Sequence, residues 1–285
     1  MKAKKNSTKR LVEASVMVAF ATVLSMLKLI DLPYGGSVTA ASMLPIVIIA
    51  YRHGTGVGLL SGLVYATIQQ LLGLNTLSYV TGWQSMVAVI MLDYILAFTL
   101  IGLAGIFKGK LSQFSKDAGT RQSAELVLGL VFVCVLRYVC HTVSGATVWA
   151  GLSIPTEAAL IYSLGYNATY MIPETVVTSL VAAWLGTVLD LSKSTPTRFT
   201  ATASDLAERG GTCVVLTRFV TLIAIITVAI DTLLLAPHFQ NAESGALDFS
   251  GLSSAPWIAI AIVTAIGALT LAVLLVFKVR AKKRS

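Results

Sequence analysis

Eight apolar runs divide the chain, at roughly 11–30, 38–51, 56–73, 83–106, 124–149, 160–191, 214–236 and 256–277, where about 20 apolar residues are enough for a helix to cross a bilayer. Such runs leave few folds open. Backbone N–H and C=O groups find no partner in hydrocarbon, so a chain threaded repeatedly through it satisfies them within helices. The expectation is an all-α integral membrane protein. The second and third runs are short, which predicts tilt, irregular backbone or burial inside the bundle there. Composition fits: of 285 residues, 56% are hydrophobic and 12% charged, against about 25% charged in a soluble domain.

A formal net charge of +8 raises nucleic acid as a partner, and the placement of the charge argues against it. If the N-terminal MKAKKNSTKR is cytoplasmic, then Arg52, the cluster Lys108, Lys110, Lys116 and Arg121, the group Lys193, Arg198, Arg209 and Arg218, and the tail Lys278 to Arg284 share its side. Only Lys28 and Arg137 depart from the pattern. The intervening loops, around 31–37, 73–82, 151–158 and 237–255, hold no Lys or Arg. This is the positive-inside asymmetry, so both termini are expected on the cytoplasmic side of a bacterial cell membrane. A basic start before an apolar run also resembles a signal peptide, but Glu13 and Lys28 interrupt the run and no convincing small-residue cleavage site follows. The first run reads as an anchor. Cys134, Cys140 and Cys213 lack metal-ligand spacing and read as small apolar filler. No metal or cofactor is expected.

Composition breaks at LSKSTPTRFTATASDLAERGGT, residues 191–212, a polar stretch with a proline and a glycine pair that reads as a cytoplasmic linker. It separates a six-span unit, 1–191, dense in aromatic and polar intramembrane residues, from a two-span extension, 214–285, with 192–213 between them. The extension is mostly Leu, Ile, Val and Ala, and its one acidic residue within a span is Asp231. The glycine-rich GTGVGLLSG from Gly54 is followed by no Lys-Ser or Lys-Thr pair, so it is not a phosphate-binding loop.

The fifth run contains LRYVCHTVSGATVW, with Arg137 and His141 inside an otherwise apolar segment. An ionisable side chain at bilayer depth costs about 2.5 kcal/mol or more even on lenient insertion scales, and such residues face a bundle interior or cavity. Helical positions four apart share a face, so Arg137, His141, Gly145 and Trp149 form one stripe, with Gly145 leaving room for a flat ring. Tyr162, Tyr166, Tyr170 and Glu174 repeat that spacing on the sixth run, beside Asn167 and Pro173. The fourth run adds Trp83 near its outer end and Asp93-Tyr94 near its middle. With the inferred topology, His141, Trp149, Tyr162, Asn167 and Trp83 fall in the outer half, and Asp93, Arg137 and Glu174 near the midplane. Taken singly, Tyr79, Trp83 and Trp149 also suit an interfacial aromatic belt. Arg137 reads either as a structural partner of Asp93 or Glu174 or as a ligand group, and His141 either as a helix-to-helix hydrogen-bonding residue or as a binding residue. Jointly they describe an aromatic-walled cup with one net negative charge, suited to a flat cation held by stacking and cation–π contact.

LPYGGSVTAASMLPI, LDYILAF, RYVCHTVSGATVW and YSLGYNATYMIPE, in that order, resemble the thiamine-specific S component of energy-coupling factor (ECF) transporters, the YuaJ or ThiT family, over about residues 8–191. The resemblance implies a six-helix membrane protein that captures thiamine and transports it only with an ECF transmembrane coupling subunit and two cytoplasmic ATPase subunits. Its binding residues fall on Asp93, Tyr94, His141, Trp149, Tyr162 and Asn167, with Glu174 and Trp83 as weaker candidates. It further implies a lid over the ligand at 31–37, where Pro33, Gly35 and Gly36 supply the turn. Some members carry a tryptophan where Gly36 stands, which leaves one aromatic wall missing or supplied by Trp83. The segment from Tyr79 to Asp93 is about one helical turn longer than usual in the family, and residues 192–285 have no counterpart. Coupling in the family uses small residues on the first helix, here Ser15 and Ala19, whose small-xxx-small spacing lets helices approach.

The functional expectation is a vitamin-binding transport subunit without chemistry of its own. The alternative is a self-sufficient eight-span secondary carrier in which Asp93, Glu174 or Asp231 relays a proton. An enzyme with Ser144 as nucleophile and His141 as base is disfavoured: the two are three apart on one helix, with no third group or oxyanion motif.

Overall fold

The structure, a computed structural model, describes residues 2–32, 35–113, 117–150, 158–199, 211–235, 238 and 250–284. Pro33 of the expected lid, Lys116, most of the 151–158 loop and the linker from 200 to 210 lie outside them. The chain is helical almost throughout: α1 (Lys2–Met26), α2 (Leu44–His53), α3 (Thr55–Leu72), α4 (Trp83–Phe107), α5 (Ala118–Thr147), α6 (Ala159–Val188), α7 (Gly211–Leu235) and α8 (Trp257–Arg284). Two small antiparallel pairs join them, β1 (Lys28–Asp31) with β2 (Ser37–Thr39), and β3 (Leu189–Asp190) with β4 (Thr197–Arg198). Among the described residues, five helices are long and apolar enough to cross a membrane: α3, α4, α5, α6 and the Trp257–Phe277 part of α8.

The first apolar run does not continue as helix to residue 30. It stops at Met26, and LKLID turns into the β1–β2 hairpin, where Lys28 and Asp31 form an exposed ion pair at 2.8 Å. On α1, Ala14, Val18, Ala21 and Ser25 face inward at helical spacing, while Leu11, Val16, Phe20 and Val23 face out. The second run shortens to α2, ten residues and so about 15 Å long. Every residue from Leu44 to Tyr51 is buried. Protein therefore surrounds α2 on all sides, which lets so short a helix return the chain between the two ends of the bundle without facing lipid.

α2 and α3 lie against α4, α4 against α5, and α5 along the whole of α6. Gly58 and Gly102 set the closest approach: a Cβ on Gly102 would fall 2.2 Å from the backbone nitrogen of Leu59. The core where these helices meet includes Ile46, Tyr65, Ile101, Leu126, Leu130 and Val133. α5 is capped by Asp117, whose side chain accepts from the Thr120 amide at 2.8 Å. α7 packs on α6 and α8 on α7, so the extension attaches at one side of the bundle.

At the end of the bundle that holds the α1 start and the α2 C-terminus, polar side chains tie separate segments together. Arg52 bonds Glu13 of α1 and the carbonyls of Leu191, Lys193 and Ser194 beyond α6. Gln122 donates to the carbonyls of Gly186 and Leu189, and Tyr51 donates to Glu125 at 2.8 Å. The opposite end, where α1 finishes, α2 begins and α5 finishes, is left to the hairpin and to the cavity beneath it.

Candidate ligand-binding cavity

A cavity of about 520 Å³ lies under the β1–β2 hairpin, between α3, α4, α5 and α6. Its wall on α4 is built from an irregular stretch: Ile90–Leu96 is wound as π-helix, with one residue more per turn than its α-helical flanks. Such insertions cluster at functional sites, because the widened turn re-aims the side chains it carries. Here it carries Asp93.

Asp93 is the hub of the site. One carboxylate oxygen lies 3.0 Å from His141 Nδ1, and the other accepts from Ser144 Oγ at 2.7 Å and Trp149 Nε1 at 3.1 Å. Three groups from α5 and its end thus converge on one residue of α4. Arg137, His141 and Gly145 follow one another at the four-residue spacing and all line the cavity. α5 ends at Thr147, so Trp149 reaches the cavity from a bend beyond the helix, not from a continued stripe. Its ring is buried, at 7% exposure.

On α6, Tyr166, Asn167, Tyr170 and Glu174 line the opposite wall. Tyr170 donates its hydroxyl to Asn167 Oδ1 at 2.5 Å, and Asn167 Nδ2 donates to the carbonyl and hydroxyl of Ser163. The His141 and Tyr170 rings meet edge to face with centroids 6.2 Å apart. Glu174, 3% exposed, accepts from the Thr39 amide at 2.5 Å and the Thr39 hydroxyl at 2.8 Å. That carboxylate pins β2 to α6 at the side of the cavity. The Tyr94 hydroxyl sits 3.2 Å from Thr76 Oγ1 and 3.3 Å from the Gly73 carbonyl, at the segment that follows α3.

Several expectations change. Tyr162 does not line the cavity; it stands behind Trp149, packed with Val80 and Val89. Trp83 is 71% exposed and turned away from the cavity, so it supplies no aromatic wall. Nor is a wall missing at Gly36: a Cβ there would fall 2.9 Å from the Tyr170 ring, which already fills that space. Tyr79 stands at the mouth. Arg137 makes no ion pair with Asp93 or Glu174 among the described residues; it donates to Met43 Sδ, and its guanidinium lies 4.4 Å from the centroid of Phe98. The two acids are instead satisfied by neutral donors and a histidine, so the base beside them is left over. Asp93 sits level with Ser144 and Trp149, higher than the depth count along α4 suggested. Ser144 gives its proton to Asp93 and not to His141, which removes the nucleophile–base contact. The Glu174–Thr39 link had no signal in sequence, since the partners are 135 residues apart.

Ser15 and Ala19 both lie on the exposed face of α1, which touches α2, α3 and β2 on its other side. Asp231 is remote from the cavity: its Oδ2 accepts from Thr264 of α8 at 2.8 Å.

The profile of the thiamine transporter protein family (Thia_YuaJ) matches residues 11–192. Thiamine transporter ThiT of Bacillus subtilis is 34% identical over 182 residues, which cover 62% of this chain and 89% of that protein. Thiamine transporter ThiT of Lacticaseibacillus paracasei is 25% identical over 186 residues, covering 62% of this chain and 87% of that one. Among solved structures, ThiT from Listeria monocytogenes shares the fold with a TM-score of 0.52 at 23% identity, across 62% of this chain and 92% of that chain. The family match stops at residue 192, shortly after α6 ends, and includes neither α7 nor α8.

Proposed function

The chain belongs to the thiamine transporter protein family, and on that premise we propose that it takes up thiamine in the cavity beneath the hairpin as the S component of an ECF transporter. The protein is a multi-pass membrane transporter and not an enzyme. The observation that carries the site is the Asp93 hub: a carboxylate held by His141, Ser144 and Trp149 at the wall of a cavity large enough for a two-ring ligand. A thiazolium is permanently positive, and stacked on the Trp149 indole near Asp93 it gains both cation–π and charge attraction in a site of low dielectric. His141 and Asn167 line the same cavity, and Tyr94 and Glu174 border it.

In this reading residues 1–191 form a six-helix capture domain, 192–213 a cytoplasmic linker and 214–285 an accessory pair of helices, eight passes in all. Both termini are cytoplasmic in this reading, which the placement of Lys and Arg supports, and the cavity opens outward. α1 offers Ser15 and Ala19 to the transmembrane coupling subunit, and two cytoplasmic ATPases drive release. Uptake of labelled thiamine in a transport-deficient host tests the assignment. It is expected only when the coupling and ATPase subunits are co-expressed; uptake by this chain alone would establish the eight-span secondary carrier instead.

A further inference from the structure

α8 stands at the edge of the molecule. It packs on α7 and, among the stronger contacts, on nothing else, and 6% of its membrane-crossing window is buried. Leu269, Leu275, Phe277 and Val279 are all exposed, and at about 100° per residue they cover more than half of the circumference. A bilayer therefore puts lipid around most of this helix. Trp257, at the start of α8, is half-exposed and donates its indole N–H to the Leu252 carbonyl, as suits an aromatic residue at a membrane–water interface. At the other end the apolar window closes at Phe277, yet the helix runs on unbroken to Arg284. Five of those last seven residues are basic: Lys278, Arg280, Lys282, Lys283 and Arg284.

We propose that this basic end of α8 is a collar that holds the headgroups of anionic phospholipids, so that the extension anchors the protein to a chosen lipid. Seven residues of helix span about 10 Å, enough to cross a headgroup layer about 5 to 8 Å thick. Around the axis the five basic positions leave no gap wider than about 120°. Such a distribution suits headgroups, which surround an exposed helix, where a protein partner would meet one face. The register of the pair also supplies no counter-charge. Thr264 meets Asp231, and a Cβ on Gly267 would fall 2.3 Å from Thr227 Oγ1, so the helices run antiparallel. Continued at that register, the collar stands level with GTCVVLT, residues 211–217, which contains no acid. Residues 200–218 and 278–284 together hold seven basic residues against two acids, Asp205 and Glu208. Four or more Lys or Arg directly following a transmembrane helix attract anionic headgroups, and phosphate is the group that guanidinium binds bidentately.

The test places the full chain in phosphatidylcholine vesicles with a trace of spin-labelled phosphatidylglycerol or spin-labelled phosphatidylcholine, and reads the fraction of label immobilised at the protein. One Lys or Arg near the surface favours an anionic headgroup by up to about fivefold, and the signal averages over all lipid around the bundle. The wild type is therefore expected to prefer phosphatidylglycerol by about threefold or more. Replacing all five basic residues by Gln should remove most of that preference, and 1 M salt, with a Debye length of about 3 Å, should remove the same part from the wild type. Basic residues also set topology, so a second variant, Lys282→Gln with Lys283→Gln and Arg284→Gln, keeps the two nearest the span and should lose about half. A preference equal in the wild type and both variants would place it on the basic ends of the other helices and overturn the proposal. So would a wild type that holds the two lipids equally, or a preference that survives 1 M salt. A chain that shows no lipid preference but retains a labelled oligonucleotide through the collar would assign the collar to nucleic acid and overturn it too. Thiamine affinity should stay within about twofold in both variants. A chain that binds no thiamine yet shows the collar-dependent preference would support this proposal and bring down the functional reading alone.

Discussion

The bundle up to residue 191 and the α7–α8 extension meet the same apolar surroundings with opposite uses of polar side chains. Among the described residues, every buried polar or charged side chain, from Ser25 to Asp190, belongs to the first region. There several are satisfied by distant segments, Asp93 with three partners, Glu174 with Thr39 and Gln122 with the chain beyond α6, while Gln70, Thr178 and the Nε of Arg137 keep buried polar atoms without a hydrogen-bond partner. Among the described residues the extension shows one such contact between its helices, Thr264 to Asp231, and α8 presents Ile258, Ile262, Ile266 and Leu269 outward. A polar group in a membrane interior is stabilised only by a partner, and model systems give about 0.6 to 2 kcal/mol for each interhelical bond. A helix pair with a single such bond carries little to recognise a polar ligand. Where polar groups are numerous and mutually satisfied, they define one geometry, and that geometry surrounds the cavity.

The sharpest break of this contrast is Asp93→Ala. It orphans the donors of Ser144 and Trp149 and unseats His141, and each buried donor left unmade costs about 1 to 3 kcal/mol. Thiamine binding should disappear in calorimetry and the unfolding midpoint in detergent should drop. Asp93→Asn keeps the shape, removes the charge and weakens the acceptor, so the expected loss is roughly ten- to a hundredfold in affinity. Binding unchanged in Asp93→Asn would show that the network serves the fold alone. Next in size is Trp149→Ala. Of the four tryptophans in the chain, Trp149 is the one lining the cavity, so thiamine should quench the wild-type fluorescence and leave the variant's almost unchanged. Affinity should fall severalfold or more, by the loss of stacking worth about 0.5 to 2 kcal/mol. A quench that survives the substitution would move the ligand elsewhere.

Much of this contrast is legible in the sequence, because hydropathy and a period of four need only neighbours along one helix. Arg137, His141 and Gly145 fall on one face for that reason, and so do Tyr166, Tyr170 and Glu174. Features set by distant partners leave no such trace. IMLDYIL has no residue that distinguishes a π-turn from an α-turn; the register of Asp93 is fixed across the bundle, by donors on α5. LKLID continues the apolar tone of α1, so the sequence marks the turn at 31–37 but not the strand before it, and the bond by which Glu174 holds Thr39 lies far along the chain. Tyr162 keeps the spacing of its stripe yet stands behind Trp149, because the end of α5 at Thr147 lets the indole fold in ahead of it. The Arg137 ion pair is misjudged on like grounds: nearness in depth says which groups share a layer, not which of them bond.

A smaller effect is expected from Glu174→Ala, which removes both acceptors of Thr39 and frees β2 from α6. The hairpin stands over the ligand, so the change should act mainly on dissociation, raising the off-rate by roughly tenfold, in line with one buried backbone donor left unpaired. Stopped-flow fluorescence reads this directly. A Glu174→Ala variant with an unaltered off-rate and a lowered on-rate would make Glu174 part of the entry path and not a strut.

The smallest effect belongs to the extension, and there the comparison is most exposed to refutation. α7 touches α6 alone of the first six helices among the stronger contacts, and the cavity has no lining residue beyond Glu174. Cutting the chain after Leu191 keeps the Arg52 bond to the Leu191 carbonyl and the Gln122 bond to its amide, so the end of the bundle stays closed. The bonds from Arg52 to Lys193 and Ser194 are lost, but they lie at an exposed surface, where water replaces them at little cost. The truncated chain should therefore bind thiamine with an affinity within about twofold of the full chain, and Asp231→Asn in the full chain should change it still less. A truncated protein that folds, shown by a cooperative melt, and yet binds no thiamine would mean that the polar groups of the first region do not suffice. The ligand would then depend on helices that contribute no polar group to it, and the eight-span carrier, with Asp231 as its proton site, would be the better account.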